Sequence, residues 1–105
     1  MNQPSRIDSL KKMIAANPKD PRPRFAIAVE YEKLGRWEAV VKELTEYLKL
    51  TDDQGNAWGR LAHALRELGR DDEARTAYER GASEAYRHGH PTMAMEFEEI
   101  LHDLA

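Results

Sequence analysis

The chain has 105 residues, with 16 Lys and Arg against 19 Asp and Glu, a formal net charge of −3. With 41% hydrophobic and 33% charged residues it has enough apolar content for one packed core and too much for disorder. The absence of cysteine excludes a disulfide framework, a thiolate zinc site and a cysteine nucleophile.

Taken in chain order, turn and cap signals mark six helical segments. Ser5 precedes the apolar-periodic positions Ile7, Leu10, Met13 and Ile14, with Asp8 three residues on, which is a capping-box-like start. Asn17-Pro18 ends that segment. Asp20-Pro21 is a helix cap followed by proline at the first helical position, where its missing N–H is not needed. This second helix is expected to reach Leu34, with Gly35 in the left-handed position that closes helix C-termini. A third is expected from Trp37 to Leu50, followed by the polar turn 51–55. A fourth runs from Asn56 to Leu68 and stops at Gly69. Asp71-Asp72 are expected to cap a fifth that reaches Arg87, and Gly89-His90-Pro91 precedes a last helix to Leu104. Nothing alternates with period two for long enough to predict a strand.

A self-similarity at an offset of 34 residues is the most informative feature. Leu34-Gly35-Arg36 reappears as Leu68-Gly69-Arg70, and Ile27, Ala28, Tyr31 and Leu44 fall on Leu61, Ala62, Leu65 and Tyr78. Two helices per 34 residues is the period of a stacked helix-hairpin solenoid, in which each hairpin buries its apolar face only against a neighbour. The expected fold is all-α, a right-handed α-solenoid of antiparallel helix hairpins with about six helices. Its divisions are a half-repeat helix at 5–18, one repeat at 21–54, a second at 55–88 and a capping helix at 89–105, together one domain. Small residues at Ala28, Ala62, Ala74 and Gly81 let helix axes approach closely. Trp37, Trp58, Tyr31, Tyr78 and Leu44 are expected to fill the space between hairpins, and Met95 is assigned to the core.

The second repeat supplies Trp58, Leu61, Ala62, Leu65, Gly69, Ala74 and Tyr78, and in these positions the chain resembles the tetratricopeptide repeat (TPR) family. The first repeat departs from the pattern at Arg24, where Trp is common, at Val40, where Ala is usual, and at Tyr47, where a small residue is typical. The resemblance implies a protein-interaction module whose groove is lined by the first helix of each hairpin. Carried onto this sequence, the implied groove residues are Arg22, Phe25, Val29 and Lys33, then Asn56, Arg60, His63 and Arg66, then Met93 and Phe97. The Lys and Asn of the family's carboxylate clamp are replaced here by Phe25, Val29, His63, Met93 and Phe97, so capture of a chaperone tail is not expected. Apolar residues with Arg60, His63 and Arg66 suit a peptide or amphipathic helix that carries apolar anchors and an acidic residue.

Catalytic constellations are scarce. No Gly-rich phosphate loop follows a strand, and His63 has no nucleophile beside it in sequence. His88 and His90 would bind a metal only if carboxylates converged on them, and no third ligand is visible at helical spacing. The expectation is therefore a non-enzymatic adaptor with no cofactor and no metal. Residues 1–24 carry a local +4, and residues 91–105 a local −4. The basic end is too small to predict nucleic-acid binding. Opposed ends do allow an alternative, a self-assembling scaffold that forms a homo-oligomer by end-to-end stacking or swapping of half-repeats. The longest apolar run, Phe25 to Val29, is far short of the ~20 residues that span a bilayer. No secretory segment is visible, so a cytoplasmic protein with no membrane partner is expected.

Overall fold

The computed structural model describes residues 5–104. They form six α-helices and, among the described residues, no strand: α1 (Arg6–Ala16), α2 (Pro21–Lys33), α3 (Trp37–Leu50), α4 (Asn56–Glu67), α5 (Asp71–Arg87) and α6 (Pro91–Leu104). None of these helices is long and apolar enough to cross a membrane.

Local chemistry explains the boundaries. Ser5 Oγ accepts the Asp8 amide at 3.0 Å, and Asp20 Oδ1 accepts the Arg22 amide at 3.0 Å with Pro21 at the helix start. Gly35 (φ 67°) and Gly69 (φ 74°) adopt the left-handed conformation that any Cβ would strain. The next amides, of Arg36 and Arg70, donate back to the carbonyls of Tyr31 and Leu65 at 3.0 and 2.9 Å. The repeated Leu-Gly-Arg is therefore a repeated helix stop.

Two boundaries differ from expectation. Asp71 and Asp72 lie inside the first turn of α5, after Arg70, and make no side-chain cap bond. With Glu73 they place three carboxylates beside the positive end of the helix dipole instead. The turn at 51–55 is not simply polar. Asp53 is buried, and its Oδ2 accepts the amides of both Gly55 and Ala57 at 2.9 Å, capping α4 from outside the helix.

The helices gather into two compact units, one ending at Thr51 and the other beginning at Asp52. In the first, α2 packs on both α1 and α3. Its core holds Leu10, Ile27, Ala28, Tyr31, Val40 and Leu44, with Ala28, Val40 and Leu44 fully buried. Two of the three departures of the first repeat have partners here, and the third is fully buried. Arg24 forms an ion pair with Glu43 at 3.1 Å, Val40 is buried, and Tyr47 packs on Phe25 with ring centroids 5.3 Å apart.

In the second unit, α5 packs on both α4 and α6. Ala62, Ala74 and Gly81 are buried at the close approaches, and Tyr78 fills the space between. Trp58 is half-buried, and the Arg80 guanidinium lies over one face of its indole, 5.1 Å from the ring centroid. Trp37 is also half-buried. Met95 is not a core residue; it is 57% exposed on the outward face of α6, in a recess of about 460 Å³ shared with Glu98, Glu99, His102 and Asp103.

Candidate functional site

On α2, Arg22, Phe25, Val29 and Lys33 recur every three or four residues and share one helix face. Arg22 is held by the side chain that caps its own helix, with Nε 2.9 Å from Asp20 Oδ1 and Nη2 2.8 Å from Asp20 Oδ2. These bonds hold the Asp20 carboxyl below the usual carboxylate range and raise the guanidinium. Lys33 pairs with Glu30 at 3.1 Å, and Glu30 also receives Arg6 at 2.9 Å. Phe25 is half-buried and packs on Tyr47 of α3. Val29 is half-buried beside it.

On α4, the residues facing inward (Ala57, Leu61, Ala62, Ala64, Leu65) are buried, which leaves Asn56, Arg60, His63 and Arg66 along the other side. Asn56, His63 and Arg66 are exposed and Arg60 is half-buried. His63 Nε2 lies 3.7 Å from Glu67 Oε1, one turn on.

Met93 and Phe97 run alongside this strip. A Cβ on Gly55 would stand 3.0 Å from the Met93 sulfur, and a Cβ on Gly59 would stand 2.5 Å from Phe97 Cζ. Both contacts step by four residues on each helix, so α4 and α6 run parallel with Met93 and Phe97 forming the seam. Phe97 also sits against Gly81 and packs on Tyr78 with centroids 5.8 Å apart. Its ring is therefore held largely by α4 and α5, and Met93 packs on the cluster of Ala82, Ala85 and Ala94. The pairing of Gly59 with Phe97 is invisible in sequence, because 38 residues separate a glycine from the ring that needs it. The offset of 34 was the only usable signal, since it makes α4 and α6 equivalent elements.

A second constellation lies at the end of α5. Arg87 Nη2 bridges Glu84 Oε2 at 2.6 Å and Asp52 Oδ2 at 2.9 Å, while Arg80 reaches the other Glu84 oxygen at 3.3 Å. The Arg87 hydrogen bond is the main reason both carboxyls are held below their ordinary range. A carboxyl with a depressed folded value stabilises the fold above its unfolded value, about 4, and loses that contribution as pH falls through the folded value. The melting temperature should therefore fall as pH drops below about 4, and Glu84→Gln should flatten that dependence. Thermal circular dichroism between pH 7 and pH 2.5 checks this, and equal slopes for the two proteins would contradict it.

Comparison with known proteins places this architecture. The family model of the bacterial transcriptional activator domain matches residues 24–88. Small glutamine-rich tetratricopeptide repeat-containing protein 2 of Mycosarcoma maydis is 31% identical over 75 residues, 71% of this chain. The match spans only 21% of that relative's length. Among solved structures, protein BPP2914 from Bordetella parapertussis has a TM-score of 0.80 at 24% identity, covering 97% of this chain and 89% of its own. MamA MSR-1 C2 has a TM-score of 0.66 at 20% identity, covering 93% of this chain and 64% of its own. These likenesses agree with the 34-residue period and with the helix stops at Gly35 and Gly69. The chain belongs to the bacterial transcriptional activator domain family and has the helical-repeat fold of tetratricopeptide proteins.

Proposed function

We propose that the chain is a non-enzymatic protein-interaction module that takes a peptide or amphipathic helix of a partner protein along the α4–α6 seam. The observation that carries this reading is the strip on α4. Asn56, His63 and Arg66 are exposed and Arg60 half-exposed on a helix whose other faces are buried, beside the apolar edges of Met93 and Phe97. Such a strip pairs apolar side chains with cationic ones, so the complementary segment carries apolar anchors and an acidic residue. Helical-repeat relatives of this type are generally binding modules. The α2 face of Arg22, Phe25, Val29 and Lys33 is not part of this seam, and Asp20 and Glu30 already neutralise its two charges. Nucleic acid and membrane are not among the proposed partners, and no cofactor is needed. Self-association by end-to-end stacking or swapping of half-repeats, aided by the opposed terminal charges, is the weaker alternative.

Selection from a random peptide library against the full chain tests the proposal. Enriched peptides should combine apolar anchors with Asp or Glu. The double variant His63→Glu, Arg66→Glu should bind them about tenfold more weakly, with an unchanged helical circular dichroism spectrum. Equal binding by a folded variant would overturn the assignment of the seam.

A further inference from the structure

His88 caps the C-terminus of α5, where its Nε2 is shielded from solvent and makes no hydrogen bond of good geometry. That nitrogen faces two carboxylates, 3.3 Å from Asp52 Oδ2 and 3.6 Å from Glu84 Oε2. The three ligand atoms all lie within 4.8 Å of one another. Around a zinc-sized ion with bonds of about 2.0–2.1 Å, tetrahedral ligands stand about 3.3–3.4 Å apart. The two distances from His88 Nε2, 3.3 and 3.6 Å, fall close to that edge length.

The supporting frame is built for constancy. Glu84 and His88 are four residues apart on one helix and therefore share a face. Asp52 comes from the turn that Asp53 anchors through the amides of Gly55 and Ala57. One imidazole and two carboxylates are a donor set for zinc-class ions, with a fourth position left for water. Arg87 is the competitor. Its Nη2 touches the same two carboxylate oxygens, and its side chain is 57% exposed, so it has a solvent-side route out of the cluster. His90, the neighbour of His88 in sequence, stands apart with its Nε2 2.6 Å from Gln54 Oε1.

We propose that Asp52, Glu84 and His88 bind a divalent transition-metal ion of the zinc class, which displaces the Arg87 guanidinium from the two carboxylates. This revises the expectation of no metal. The convergent carboxylates whose lack argued against His88 as a ligand are supplied by the turn before α4 and by the preceding turn of α5. The bound ion would tie the start of the second unit to the end of α5, a structural role independent of the peptide seam.

Calorimetric titration of Zn²⁺ into the metal-free full chain, with Co²⁺ visible absorbance as a ligand-field probe, tests the site. One equivalent should bind. His88→Ala and Asp52→Asn should each weaken binding at least about tenfold, since losing a direct ligand costs no less than losing a supporting one. Arg87→Met should tighten it by removing the internal cation. Asp52 lies on an exposed turn, so its variant keeps the test valid should His88→Ala fail to fold. Less than one equivalent in the wild type overturns the proposal. So does wild-type affinity in both folded ligand variants, because the ion would then sit on His63, His90 or His102.

Discussion

Truncating Phe97 to alanine should lower the unfolding free energy by about 3 kcal/mol, the usual cost of removing a packed aromatic ring. The ring occupies a slot that exists only because Gly59 and Gly81 carry no side chains. Ideal Cβ atoms there would lie 2.5 and 3.1 Å from it. Gly59→Ala alone should therefore cost about 1–3 kcal/mol through overpacking. In the Phe97→Ala background the same change should be neutral or stabilising, because the clash is gone and alanine is better than glycine inside a helix by about 0.5–1 kcal/mol. Urea unfolding of the four proteins closes the cycle. Additive effects would show that the ring does not rest on Gly59.

Glu43→Ala should be comparably damaging, about 3 kcal/mol, because it leaves the Arg24 charge in a largely buried position without its partner. The two side chains are only 17% and 11% exposed, and the Arg24 Nε already lacks a hydrogen-bond partner. Replacing both, as Arg24→Met with Glu43→Leu, should recover most of the loss, since it removes the desolvated charges along with their attraction. Denaturant midpoints with unchanged slopes distinguish these outcomes. A double variant as unstable as Glu43→Ala would mean that the pair contributes specific geometry beyond charge balance.

Arg24 also illustrates how a departure from the repeat pattern is to be understood. In sequence it stands where tryptophan is common, and nothing within its own helix explains a charge at an inward position. The explanation is Glu43, one helix away, and the same holds for Tyr47, which finds Phe25. Both substitutions come with a partner on the facing helix, so the first hairpin keeps its packing with different chemistry. A single-sequence reading identifies such positions as irregular but does not identify the compensating residue.

The candidate site divides along the same line. The α4 strip was legible because exposed and buried residues on an amphipathic helix follow its own periodicity. Sequence leaves open whether Met93 and Phe97 line a groove or pack as the inner face of the cap, since α6 carries apolar residues on several faces, and the glycines that receive them lie on other segments. Met95 shows the consequence. It looks like a core residue by type, yet it lies outside, because the packing face of α6 is already taken by Met93, Ala94 and Phe97.

Helix number, most helix ends and the 34-residue period were determined by the sequence alone. Their causes are local: caps at Ser5 and Asp20, left-handed glycines at 35 and 69, and side chains repeating every 3.6 residues. Tertiary structure alone decided which glycine receives which ring, which carboxylate neutralises Arg24, and that Asp52 and Glu84 meet at His88. Apart from Glu84 and His88, which are one helical turn apart, those contacts join residues 16 to 38 positions apart, and their distances depend on how helices pack rather than on any preference of the residues themselves.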